Sequence, residues 1–128
     1  MTSVHEIRLA GPWEFTRAES PDSPQRCTLP IAVDEARQAP GAVTLTRRFH
    51  RPTGLDAGSQ VRIAVDFRGD TPLVAVNGVL LDMCECSVPA SETQQAEFNI
   101  TGALRDFNTL TIDVRGPQIS NVLLRIIP

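Results

Sequence analysis

The stretch Val74-Ala75-Val76-Asn77-Gly78-Val79-Leu80-Leu81 decides the fold class. Asn-Gly is the pair that tolerates positive φ at both central positions of a type I′ turn, and that turn matches the twist of paired strands. With β-branched runs on both sides, the stretch reads as a β-hairpin. The same logic extends in both directions. Upstream, Val61, Ile63, Val65 and Phe67 alternate with Arg62, Ala64 and Asp66; downstream, Leu110, Ile112 and Val114 alternate with Thr111 and Asp113. A period of two with one apolar and one wet face is the signature of a half-buried strand.

A further strand begins at Val43-Thr44-Leu45-Thr46, runs to Phe49 and ends before Arg51-Pro52. Weaker strands are expected at Glu6 to Leu9, Trp13 to Phe15, Gln95 to Asn99 and Val122 to Ile127. Helix is scarce. Asp34 to Ala39 has room for one or two turns before Pro40-Gly41, and Thr101 is placed to cap a turn through Leu104. Turn clusters fall at Ser20 to Pro24, Pro52 to Gly54, Arg68 to Asp70 and Gly116-Pro117. Ser20 to Pro24 reads as a surface loop and Ser87 to Gln94 as a longer one. Short strands at regular spacing predict an all-β sandwich. No repeat or linker divides the 128 residues, so residues 1–128 are expected to form a single domain.

Composition removes several classes of function. The net charge is −3, and all twelve basic residues are arginines, scattered except for Arg47-Arg48. A nucleic-acid footprint is basic and clustered, so no nucleic-acid partner is expected. No apolar run approaches the roughly 20 residues of a membrane span, and Met1 to Glu6 lacks the basic start and apolar stretch of a signal peptide. Three cysteines do not make a disulfide framework. The expectation is a cytoplasmic protein without a membrane partner. Tyrosine is absent and aromatics total 5%.

Arg47 is in phase with Val43, Leu45 and Phe49, on the apolar side of its strand. A guanidinium there must be paired, because an unpaired buried charge costs several kcal/mol. It is a structural ion pair, a bulge that turns the side chain outward, or a planar fork for a ligand hydroxyl or carboxylate. Asp70, Asp82 and Glu85 are carboxylates near predicted loops, but a glycosidase needs two of them about 5 to 9.5 Å apart across one pocket, and no spacing marks such a pair. Cys84-Glu85-Cys86, with Cys27, His5 and His50 distant, is a poor match to four-ligand zinc spacing. The two cysteines of that strand are expected on one face as small core hydrophobes, or as reactive thiols if an arginine lies near. No metal and no cofactor are expected. Trp13 is expected in the core, with sugar stacking as its functional alternative. No nucleophile elbow, phosphate loop or metal motif occurs, and His50 has no Ser or Cys partner near it in sequence.

The order of motifs resembles the N-terminal sugar-binding domain of the β-galactosidase, β-glucuronidase and β-mannosidase family. The residues that carry it run through nearly the whole chain. They are Leu9-Ala10-Gly11-Pro12-Trp13-Glu14-Phe15; Leu29-Pro30, Gly41 and Arg47-Arg48-Phe49-His50-Arg51-Pro52; Val61 to Phe67, Gly69 and Val74-Ala75-Val76-Asn77-Gly78; then Phe98-Asn99-Ile100-Thr101, Leu104, Asn108-Thr109-Leu110-Thr111-Ile112-Asp113-Val114 and Ile119 to Leu124. The resemblance implies a galactose-binding-like jelly-roll β-sandwich. The departures concern function. Relatives usually carry a Trp after the first Pro, where Ile31-Ala32-Val33-Asp34 stand here. An aromatic before the arginine strand is replaced by Leu45-Thr46. Gly and His after the hairpin are replaced by Asp82-Met83-Cys84. The loop that carries an Asp in some relatives is Arg115-Gly116-Pro117-Gln118. The catalytic barrel and its two glutamates are not among these residues, since such a barrel needs roughly 250.

The expected function is therefore a non-catalytic, carbohydrate-binding-like module, not an enzyme, with Arg47, Asp70 and Glu85 as candidate ligand-binding residues. The alternative is a structural or protein-interaction sandwich that packs against a partner or a second copy. A small hydrolase is the third reading, to be revived by a deep pocket holding two convergent carboxylates.

Overall fold

The structure is a computed structural model that describes residues 4–9, 11–34, 42–90 and 93–128, without the side chains of 88–90. Twelve strands are described: β1 (His5–Arg8), β2 (Trp13–Arg17), β3 (Ser20–Cys27), β4 (Ile31–Ala32), β5 (Val43–His50), β6 (Gln60–Arg68), β7 (Leu73–Val76), β8 (Val79–Leu80), β9 (Met83–Ala90), β10 (Thr93–Asn99), β11 (Phe107–Asp113) and β12 (Gln118–Ile127). They form two antiparallel sheets. The first has the order β1-β12-β6-β10-β9, with β4 also on β12, and the second has the order β3-β2-β5-β11-β7-β8. The chain is an all-β jelly-roll sandwich.

The alternation read from the sequence sets the layers. Val61, Ile63, Val65 and Phe67 of the first sheet face Val43, Leu45, Leu110, Ile112, Val74 and Val76 of the second, all in one buried cluster. Each such side chain contributes about 1.5–3 kcal/mol on burial. Trp13 is completely buried, and its indole Nε1 donates to the Leu9 carbonyl at 3.0 Å, so it packs the core and offers no face to a ligand.

The hairpin is where Asn77-Gly78 put it, with φ of 54° and 80° at the two turn residues. Asn77 does more than turn the chain. Its Nδ2 donates to the Ala103 carbonyl at 2.9 Å and to Asn108 Oδ1 at 3.0 Å, and its Oδ1 accepts from the Thr109 amide at 3.0 Å. Asn108 is itself buried. Its Oδ1 also accepts from the Arg105 amide at 2.8 Å, and its Nδ2 donates to the Arg105 carbonyl at 2.8 Å and the Phe49 carbonyl at 3.4 Å. Two asparagines thus join the hairpin, the 101–105 segment and β5 into one satisfied polar network.

Three local expectations are corrected. Ser20 to Pro24 is no loop: it opens β3, an exposed strand at the edge of the second sheet, where Pro21 and Pro24 fall in a register shift that gives them no partner on β2. Ser87 to Gln94 is not a long loop either, since β9 extends through Ala90 and β10 starts at Thr93. Thr101 does not cap its turn. The 3₁₀ turn spans Thr101–Ala103 with Ile100 at the cap position, while the Thr101 hydroxyl accepts the Val61 amide at 2.9 Å. The expected helix at Asp34 to Ala39 lies outside the described residues from residue 35 on.

Candidate functional site

β5 places the arginine strand. Its pairing with β11 is continuous from Phe107↔His50 to Asp113↔Thr44, so no bulge turns Arg47 outward. Arg47 stands opposite the buried Leu110 and is half-buried. β2 accompanies β5 only from Val43 to Thr46, which leaves Arg47 as the first residue beyond the end of that pairing. Its Nη1 donates to the Arg48 carbonyl at 3.1 Å. Burial lowers the guanidinium pKa from its ordinary value. A cleft of about 330 Å³ opens at this point, lined by Pro12, Trp13, Glu14, Arg26, Thr46, Arg47, Arg48 and Thr109. Three arginines, two threonines and one glutamate among the lining residues give it a polar, hydrogen-bonding character.

The wet face of β5 and β11 continues the cleft. Arg48 is opposite Thr109, and His50 is opposite Phe107. Phe107 is 74% exposed, and its ring meets the His50 ring edge-on with centroids 5.0 Å apart at 66°. A second hollow of about 460 Å³, lined by Arg48, Phe49, His50, Phe107, Asn108 and Thr109, shares Arg48 and Thr109 with the first.

The other two candidates stand elsewhere. Asp70 is exposed in the β6–β7 turn. Glu85 is on β9, in a third cleft of about 390 Å³ lined by Val4, Glu6, Arg62, Glu85, Glu97, Arg125 and Ile127, which has no residue in common with the Arg47 cleft. There Arg62 Nη1 lies 3.8 Å from Glu85, Arg125 Nη1 lies 3.1 Å from Glu97, and Arg125 Nε pairs with Glu6. Burial alone would lower the Arg125 pKa, but the hydrogen bonds and charges of Glu6 and Glu97 outweigh it and raise it. The cleft does gather three glutamates, but as an ion-pair lattice across β1, β12, β6, β10 and β9.

The cysteines depart from expectation. Cys84 and Cys86 are exposed on the edge strand β9 instead of packing the core. The register slips between Glu97↔Glu85 and Phe98↔Met83, which leaves Cys84 as an extra residue, and its thiol donates to the Glu97 carbonyl at 3.2 Å. Cys27 is half-buried against the core, and burial pushes its thiol pKa up. Among the described residues no three of His, Cys, Asp and Glu are grouped to hold a metal ion. No helix among them is long and apolar enough to cross a membrane.

Sequence reasoning singled out Arg47 and missed Arg26, Arg48, Thr109 and Phe107. The signal for three of them was present: the phase that puts Leu110 and Ile112 inside puts 107 and 109 outside, and the phase that puts Phe49 inside puts Arg48 outside.

No protein-family model matches the chain, and no curated protein sequence matches it. Solved structures do. An FMN-binding β-glucuronidase from Facaelibacterium prausnitzii L2-6 superposes with a TM-score of 0.68 at 17% identity, over 100% of this chain and 23% of the enzyme. The β-glucuronidase of Bifidobacterium dentium, complexed with coumarin-3-O-glucuronide, gives 0.67 at 18% identity, over 98% of this chain and 30% of the enzyme. The chain has the fold of one portion of a β-glucuronidase. At these identities the likeness is one of fold, and the chain spans less than a third of either enzyme. Among the described residues there is no α-helix and every strand pair is antiparallel, so a (β/α)₈ barrel is not part of them.

Proposed function

We propose that the chain is a non-catalytic saccharide-binding sandwich domain of the glycoside hydrolase type, acting in a reducing compartment such as the cytoplasm. The observation that carries this reading is the cleft whose lining combines Arg26, Arg47 and Arg48 with Thr46 and Thr109. Planar forks and hydroxyls are the groups that hold vicinal sugar hydroxyls, or a sugar carboxylate, in a fixed orientation. Fold-level analogy with glycosidases adds to this without proving a ligand. Of the three candidates, Arg47 belongs to this site; Asp70 and Glu85 do not join it. The non-catalytic part is supported by the Glu6, Glu85 and Glu97 carboxylates facing arginines, where a glycosidase sets two carboxyl groups on either side of a scissile bond.

A second reading, a sandwich that packs against a partner or a second copy, is favoured by exposed Val79 and Leu80 of β8, at the edge of the second sheet, and Met83 of β9, at the edge of the first, which line one hollow. Calorimetric titration with methyl β-glucoside, methyl β-galactoside, methyl β-glucuronide and cellobiose tests the first reading. Saturable binding without release of reducing sugar or methanol is the expected result. Silence towards every saccharide, together with self-association in sedimentation, favours the second.

A further inference from the structure

We infer that the saccharide lies across the wet face of β5 and β11, with one sugar ring on Phe107 and the next at Arg48 and Thr109; this rests on the saccharide-binding reading above. The inference starts from an anomaly. This chain has few aromatics, yet it leaves Phe107 largely exposed. An isolated exposed apolar residue needs no explanation, but Phe107 is not isolated. It meets His50, its direct cross-strand neighbour, edge-on.

The rungs that follow are polar. Arg48 faces Thr109, and Thr46 faces Thr111. Two residues of strand advance about 6.8 Å, roughly the span of one pyranose ring. One rung therefore offers an apolar aromatic face to the C–H face of a sugar, and the next offers a guanidinium and a hydroxyl to the hydroxyls of its neighbour. Arg48 makes no ion pair within the described residues, so its donors are available. The two hollows share Arg48 and Thr109 in their linings, and the proposed trough takes in both.

The floor of the trough is rigid. Asn108 lies beneath it, buried between Phe107 and Thr109 in sequence, and its bonds to Phe49, Arg105 and Asn77 fix both strands at this rung. A surface held in place before the ligand arrives loses little entropy on binding.

The test uses the full chain, its amide NMR spectrum and titration with the same four saccharides. Phe107→Ala, Phe107→Trp, Arg48→Ala and the distant control Leu80→Ala are all exposed substitutions that leave the core intact. The expected result is shifts along β5 and β11 and a dissociation constant about tenfold weaker in Phe107→Ala and in Arg48→Ala. Leu80→Ala should bind as the parent does, and Phe107→Trp should bind more tightly than Phe107→Ala. Sugar binding that survives both alanine variants unchanged, with shifts elsewhere, overturns this site while the saccharide reading stands. No binding by the parent overturns both. A dimer that Phe107→Ala dissociates, without any sugar response, assigns the face to protein contact and overturns both as well.

Discussion

Asn77→Gly separates the two jobs of one side chain. Glycine keeps the turn, because positive φ costs it nothing, and Asn77 sits at φ 54°. It removes three hydrogen bonds: Nδ2 to the Ala103 carbonyl at 2.9 Å, Nδ2 to Asn108 Oδ1 at 3.0 Å, and the Thr109 amide to Oδ1 at 3.0 Å. The backbone bond from the Asn77 amide to the Thr109 carbonyl at 2.9 Å survives. A net hydrogen bond is worth about 0.5–1.5 kcal/mol; Ala103 and Thr109 are half-buried, so water recovers part of the loss there, and the buried Asn108 Oδ1 keeps the Arg105 amide. The expected destabilisation is about 2–3 kcal/mol. For a chain of this length that is a fall in Tm of roughly 10 °C. Asn77→Asp is the companion variant: it retains the acceptor for Thr109 but turns both donations into carboxylate facing oxygen, and it should lose at least as much. Urea unfolding of parent and variants, with equal m values, measures the difference. A loss under about 0.5 kcal/mol in Asn77→Gly would refute the claim that this residue staples the hairpin to the sandwich.

Other outcomes follow from the same packing. Gly116→Ala should destabilise by about 2–4 kcal/mol, because its Cβ would land on the Arg68 carbonyl, whereas Gly102→Ala meets nothing within 4 Å and should be within about 0.5 kcal/mol of the parent in the same urea assay. In thiol labelling at neutral pH followed by mass spectrometry, Cys84 and Cys86 should react fast and Cys27 slowly, since burial both shields the latter and raises its pKa; equal rates at all three would contradict the placement of Cys27. Glu97→Ala should cost about 1–2 kcal/mol by thermal denaturation, less than a fully buried pair, because Arg125 keeps Glu6 as a partner and is itself partly exposed.

The sandwich was legible wherever local chemistry and burial agree. β6 and β11 are central strands with one face in the core, so alternation and pairing report the same thing, and Asn77-Gly78 states its own turn geometry. Reading failed at the sheet edges. Ser20 to Pro24 and Ser87 to Ala90 have the composition of turns, yet β3 and β9 are edge strands, where proline and serine cost little because one side of the ladder is unpaired. The same edge placement leaves Cys84 and Cys86 in solvent, and the slipped register breaks the simple alternation that put both on one buried face. At the site, the phase of Arg47 was readable from its own strand. Its arrival at a cleft was not, because that depends on β2 ending beside Thr46. Phe107 was hidden for a similar reason. It gains meaning only when β11 is laid against β5 in register and His50 becomes its neighbour, and no local pattern contains that register.

The most direct test of the account is an amide NMR titration of the full chain with cellobiose and the three methyl glycosides, read residue by residue. The account predicts saturable shifts centred on Thr46 to His50 and Phe107 to Thr111, with the glycosides recovered intact. An unchanged spectrum at the highest soluble concentration of all four, or their hydrolysis by the chain, would contradict it.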